Sequence, residues 1–233
     1  MIFQLTSGQF ETYRTLAVHP LSFAPSTGVR MRSKAILAAL LLFTGVPIAM
    51  AVEEASYVVL KVDGQFEVRE YAPHVLAETI VAGDLEDAGS MAFRKLFGYI
   101  SGENISRSQM AMTAPVSQVP AGEKIQMTAP VGQQRVENQW AVSFMMPQTY
   151  DLSSLPQPKD LSVVLRQVPA QRMAAVRYSG TWSEKNYLHH KSELENWMRK
   201  TGLTAAGNDI WARYNAPLTP WFMRRNEVLV PIK

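Results

Sequence analysis

From Tyr57 the chain alternates apolar and polar positions in the manner of paired strands. In YVVLKVDGQFEVREY, Asp63-Gly64 occupies the turn, Phe66, Val68 and Glu70 fall on one face, and Glu67, Arg69 and Tyr71 on the other. The run HVLAETIVAG predicts a further strand that ends at Gly83. Period two then gives way to three-to-four spacing, and Ala88, Ala92, Phe93, Leu96 and Ile100 predict a helix running from about Leu85 to Ile100. Beyond it lie two copies of Met-Thr-Ala-Pro-Val, at 112–116 and 127–131, and the strand-like WAVSFMMP. The Pro-rich LSSLPQPKD connects these to a second series. There LSVVLRQVPAQRMAAVRYSG reads as two strands and SEKNYLHHKSELENWMRKTG as a helix, with Ser183 as its N-cap and Gly202 past its end.

The two series align at a constant offset of 97 positions, which sets Arg69 on Arg166, Ala77 on Ala174, Gly83 on Gly180, Phe97 on Leu194 and Ile100 on Trp197. Slightly further on, Met112-Thr-Ala-Pro-Val116 falls on Tyr214-Asn-Ala-Pro-Leu218. The expectation is an α+β fold: a distorted antiparallel β-barrel made of two related strand–strand–helix–strand repeats, about 57–150 and 160–233, with two helices packed on the sheet.

Each Met-Thr-Ala-Pro-Val copy reads as a strand. Met112, Ala114 and Val116 share one face, as do Ile125, Met127, Ala129 and Val131. Pro115 and Pro130 cannot donate to a ladder, so each copy belongs at a sheet edge or where pairing stops. Two soft methionine and alanine faces beside an incomplete ladder can line one wall of a groove, because a thioether adapts to flat or irregular ligands.

The first fifty residues read differently. From Met31, MRSKAILAALLLFTGVPIAMA has a basic start at Arg32 and Lys34, an apolar run Ala35–Val46, Pro47, and then Ala49-Met50-Ala51. This is the pattern of a secretory signal peptide spanning 31–51, with residues 1–30 an over-extended start. The expected location is outside the cytoplasm, in a bacterial periplasm. A membrane anchor formed by an uncleaved signal is the alternative, although the run is short of the ~20 residues of a span. With the leader removed, the charge balance changes. Four of the 23 Lys+Arg and one of the 20 Asp+Glu precede Val52, leaving 19 of each in 52–233. A neutral domain carries no electrostatic footprint for nucleic acid. The chain has no cysteine, which excludes disulfides, thiolate metal sites and cysteine catalysis.

None of the G-x-G-x-x-G, P-loop, G-x-S-x-G or H-E-x-x-H signatures is present, which shifts weight from catalysis to binding. The tandem MTAPV copies, FEVREY, ARYNAPLTPW and the ending RRNEVLVPI together resemble the SOUL haem-binding family, from about Tyr57 to the C-terminus. The resemblance implies a single domain over 52–233, a distorted barrel of two related halves, and haem or another tetrapyrrole held in an apolar groove, with no settled enzymatic activity. It also implies that the groove runs beside the first helix, where the matching residues are Met91, Phe93, Arg94, Leu96 and Phe97, with Met112 and Met127 facing it. Arg94 and Lys95 are the helix cations available to haem propionates. One branch of the family has a histidine where this chain has Glu70, and His74 is the candidate substitute as an axial haem ligand. His190 lies on the stripe Tyr187, His190, Leu194, Trp197 and is expected to pack on the sheet, and His189 to face solvent. Arg225-Asn226-Glu227 is expected to hydrogen-bond the end of the barrel.

The resulting expectation is an exported protein that sequesters or transports a tetrapyrrole. A binding module for another flat apolar molecule is one alternative. An enzyme using Glu70, Glu78, Tyr71 or His74 as an acid–base pair is another.

Overall fold

A computed structural model of the protein describes residues 52–107 and 122–233. The expected start region 1–30, the signal segment 31–51 and the first Met-Thr-Ala-Pro-Val copy, with Met112, lie outside the described residues.

Nine strands form one antiparallel sheet. They are β1 (Tyr57–Asp63), β2 (Phe66–Tyr71), β3 (His74–Val81), β4 (Val131–Val136), β5 (Gln139–Met145), β6 (Val163–Val168), β7 (Gln171–Tyr178), β8 (Ile210–Arg213) and β9 (Asn226–Pro231). Their order across the sheet is β6-β3-β5-β4-β8-β9-β7-β2-β1. The end strands β6 and β1 each have a single neighbour, so the sheet curls as a half-barrel with two free edges. With the edge strand β1 left aside, the order is symmetric about the β4–β8 pair. The consecutive strands β2 and β3 do not pair with each other, nor do β6 and β7; β6 pairs with β3 and β2 with β7.

Helix α1 (Leu85–Ser101) follows β3, and α2 (Glu184–Thr201) follows β7. The Asp84 carboxylate accepts from the backbone N–H groups of Glu86 and Asp87, and these two acidic residues also suit the positive end of the helix dipole. Gly102, at φ 116°, ends α1 in the left-handed region. At α2 the cap is Ser183 and the left-handed terminus is Gly202. The stripe Leu85, Ala88, Ala92, Leu96 and Tyr99 packs α1 on β3 and β5. Tyr187, Leu194, Trp197 and Met198 pack α2 on β7 and β9. These residues belong to one large apolar cluster on the helix side of the sheet.

The opposite face is also covered. A smaller cluster of Tyr71, Met173, Ala175, Ala212 and Leu229 lies there, alongside a buried charge network. Arg69, only 2% exposed, donates from Nη1 to Glu227 Oε2 at 2.6 Å and from Nη2 to Oε1 at 3.2 Å. Its Nε donates to Glu67 at 2.6 Å. The Glu227 carboxylate, 0% exposed, also accepts from the Tyr214 hydroxyl at 2.8 Å and from Arg225 at 3.0 Å. Burial alone would raise the Glu227 pKa, but the hydrogen bonds and charges of Arg69 and Arg225 outweigh it and hold the carboxyl below its ordinary value. Tyr71, whose hydroxyl accepts from Arg69, is pushed up to about 12, chiefly by burial. Neighbouring Asn226 accepts from Trp182 Nε1 at 2.8 Å, so the polar residues ahead of VLVPI act within the sheet.

Pro130 divides its segment. Thr128–Ala129 pairs in parallel with Glu53–Glu54, and β4 begins only at Val131.

Candidate functional site

One side of α1 is left open beside its buried stripe. Gly89, Ser90, Phe93 and Arg94 recur there at helical spacing, since residues four apart stack on one face, and they form one wall of a groove. The other wall is the second Met-Thr-Ala-Pro-Val copy, through Met127, Thr128, Ala129 and Val131. The Thr128 hydroxyl donates to the Met145 carbonyl, which holds the segment against β5. Trp182, from the loop before α2, Val52 and the segment Tyr214–Pro217 add to the lining. The groove has a volume of about 600 Å³, within the range of small-molecule sites. Phe93 is fixed between Phe97, with stacked rings 5.9 Å apart, and Phe144, edge-on at 5.3 Å.

Arg213, at the end of β8, lines the same groove. Its guanidinium lies 4.9 Å from the Trp211 ring and 5.5 Å from the Trp182 ring, and Nη2 donates to Gln133 Oε1 at 3.0 Å. Gln133 is fully buried and donates in turn to the Leu85 carbonyl at 2.7 Å, tying the arginine to the first turn of α1. A Cβ at Gly89 would stand 3.0 Å from Gln133 Oε1 and 3.1 Å from Arg213 Nη2. Glycine therefore lets both side chains lie against the helix.

Of the residues expected at the site, the structure brings Phe93, Arg94 and Met127 together in the groove. Leu96 is fully buried in the core beneath α1, Phe97 is 47% exposed and touches the groove only through Phe93, and Met91 is exposed. His74 lies elsewhere. Its Nδ1 is 2.9 Å from the Ala72 carbonyl, and it borders a pocket of about 70 Å³ with Tyr71, Met145 and Met173, residues of the sheet face away from the helices. His190 stacks on Tyr178 with centroids 4.0 Å apart and its Nδ1 meets Glu193 at 2.8 Å, while His189 is exposed. Among the described residues, His189, His190 and Glu193 on α2 are a group whose ligand atoms converge within 4.8 Å. Glu70 pairs with Arg172 and Glu78 with Arg166 at the surface, and neither they nor Tyr71 lines the groove.

Val131 lines the groove with Met127 and Ala129, the residues expected to share its strand face, whereas Gly89, Trp182, Gln133 and Arg213 were not anticipated. For Arg213 a signal exists in the sequence: in Ile210–Arg213 it shares a strand face with Trp211, so a charge stands at a core-facing position.

A curled antiparallel sheet carrying two helices, with an apolar groove along the first, defines an α+β protein with a candidate small-molecule site. The profile of the SOUL heme-binding protein family matches residues 52–231, and the chain belongs to that family. Among characterised relatives, mouse heme-binding protein 1 is 27% identical over 145 residues, covering 62% of this chain and 71% of its own. Two solved structures from Listeria innocua are similar at low identity. One, described as a hydrolase, is 12% identical with a TM-score of 0.49 and covers 75% of this chain and 94% of its own. The other, an uncharacterised conserved protein, is 11% identical with a TM-score of 0.49 and covers 72% and 92%. Likeness at that level carries no argument about activity.

Proposed function

We propose that this protein binds haem or a related tetrapyrrole in the groove beside α1 and sequesters or carries it outside the cytoplasm. The observation that carries the reading is the groove itself: apolar walls from Phe93, Met127, Ala129 and Val131, with cations at Arg94 and Arg213. These residues suit a flat apolar ring with acidic arms. Haem would supply its iron and conjugated ring, and the chain's part is to bury the ring and to meet the carboxylates. Covering roughly 300 Å² of ring at about 25 cal/mol/Å² gives on the order of 7 kcal/mol before association costs, enough for weak to micromolar binding without an axial ligand. Among the described residues, no imidazole lines the groove.

Haem titration of the purified protein, followed by the Soret band and by tryptophan emission, tests this. Trp182 stands in the lining, so saturable quenching is expected, and its absence at tens of micromolar haem would sink the reading. Phe93→Ala should weaken binding about tenfold, since the ring's contact is worth roughly 1.4 kcal/mol. His74→Ala is expected to leave the haem spectrum unchanged, because His74 borders the pocket on the other sheet face. A shifted Soret band in that variant would instead place the iron at His74.

Export of residues 52–233 is part of the same proposal, supported by the signal-like segment 31–51. N-terminal sequencing of the protein from its host should begin at Val52, and a blotted precursor retaining the apolar run would favour the anchored form.

A further inference from the structure

The charge of Arg213 is left incomplete by its surroundings. Arg69, Arg166 and Arg172, also on strands, each meet a carboxylate. Arg213 meets none among the described residues: its hydrogen bond goes to the neutral Gln133, its flanks are two indoles, and its Nε is sealed from solvent without a partner. Burial draws the guanidinium down to about 10, so the surroundings disfavour the charge they enclose. A charge in such a place is costly unless a counter-ion arrives, and the open side of this one is the groove.

We propose that Arg213 is the anion-receiving group of the groove, and that the ligand is a flat apolar carboxylic acid whose carboxylate pairs with the guanidinium fork. This deepens the tetrapyrrole reading and rests on the same groove. A guanidinium matches a carboxylate with two parallel hydrogen bonds, which an ammonium cannot reproduce. The indoles and Gln133 hold that fork in one orientation before the ligand arrives, so little entropy is lost on pairing. Arg94, five residues beyond Gly89 on α1 and about 7.5 Å further along the helix axis, is exposed at the groove and suits a second acidic arm.

The test uses two ligand pairs that differ only in the anion, measured on the full protein and its variants. One pair is protoporphyrin IX and its dimethyl ester. The other is the sulfonated probe 8-anilinonaphthalene-1-sulfonate and the uncharged N-phenyl-1-naphthylamine. The wild type is expected to bind the anionic member of each pair at least tenfold tighter. Arg213→Met should bring the ratio near one while the neutral member's affinity stays within twofold, and Arg213→Lys should keep only part of the preference. An unchanged ratio in Arg213→Met overturns the proposal, as does a wild type that shows no preference or binds neither naphthalene probe. If both porphyrins fail to bind while the naphthalene preference depends on Arg213, the tetrapyrrole reading falls and the anion seat stands.

Discussion

Glu227→Ala is expected to cost about 3–5 kcal/mol of folding stability, the largest effect of any single substitution considered for this protein. The carboxylate is the shared acceptor of Arg69, Arg225 and the Tyr214 hydroxyl. Removing it leaves Arg69 buried with Glu67 and Tyr71 as its hydrogen-bond partners and the Tyr57 ring against its guanidinium. Urea denaturation reads the loss as a lower midpoint at unchanged slope. Acid dependence supplies a second readout. The folded Glu227 pKa lies below its ordinary value, so its contribution is complete above the unfolded carboxylate pKa of about 4.3 and is lost as pH falls through the lower folded value. Glu227→Gln removes that limb. The gap between wild type and Gln variant should therefore be widest near neutrality and narrow in acid; a gap independent of pH would show that the carboxylate is not charged in the folded state.

Arg213→Met should act in the opposite direction, raising the stability of the ligand-free protein by about 2 kcal/mol. The reasoning is the same with the sign reversed. Arg69 loses a partner when Glu227 goes, whereas Arg213 has no ionic partner among the described residues, and methionine removes an uncompensated charge at the expense of one neutral hydrogen bond and two ring contacts. Thermal unfolding without ligand should shift upward by a few degrees. Saturating an apolar carboxylate should reverse the ranking, because only the wild type gains the ion pair. A destabilised Arg213→Met in the absence of ligand would mean that the guanidinium is a structural tie and not a waiting receptor. The two arginines thus separate a charge used to hold the fold from one held in reserve.

Much of the architecture was legible in the sequence because it rests on local periodicity. The stripe on α1, the Ser183 and Gly202 ends of α2, and the interruption of pairing at Pro130 are decided by neighbours within a few residues. The second buried face was not legible in this way. Glu67, Arg69 and Tyr71 read as the polar side of a strand, yet Arg69 and Tyr71 are covered, because β2 sits between β1 and β7 and its charges are answered by Glu227. The site divides along the same line. Phe93 and Arg94 follow from the helix that bears them, but Leu96 faces the core, as the three-to-four stripe through Ala88 and Ala92 requires. Gly89 matters because of Arg213 and Gln133, side chains from two other strands that no local pattern brings to it. Arg213 on the Trp211 face was a visible anomaly whose meaning needed its surroundings.

The exchanged strands of the sheet have a kinetic consequence. The last of the described strands, β9, lies inside the sheet between β8 and β7, and β2 waits for β7 to be synthesised before it gains its second neighbour. Arg69 and Glu227 are separated by 158 positions. Such long-range pairing puts the entropy of closing large loops before most of the reward. An emerging chain can form β3, β5 and β4, but it carries an uncovered core and an unanswered arginine until β9 brings Glu227. Folding is therefore timed by the arrival of β9, and loss of that strand would open the sheet in its middle instead of trimming its edge.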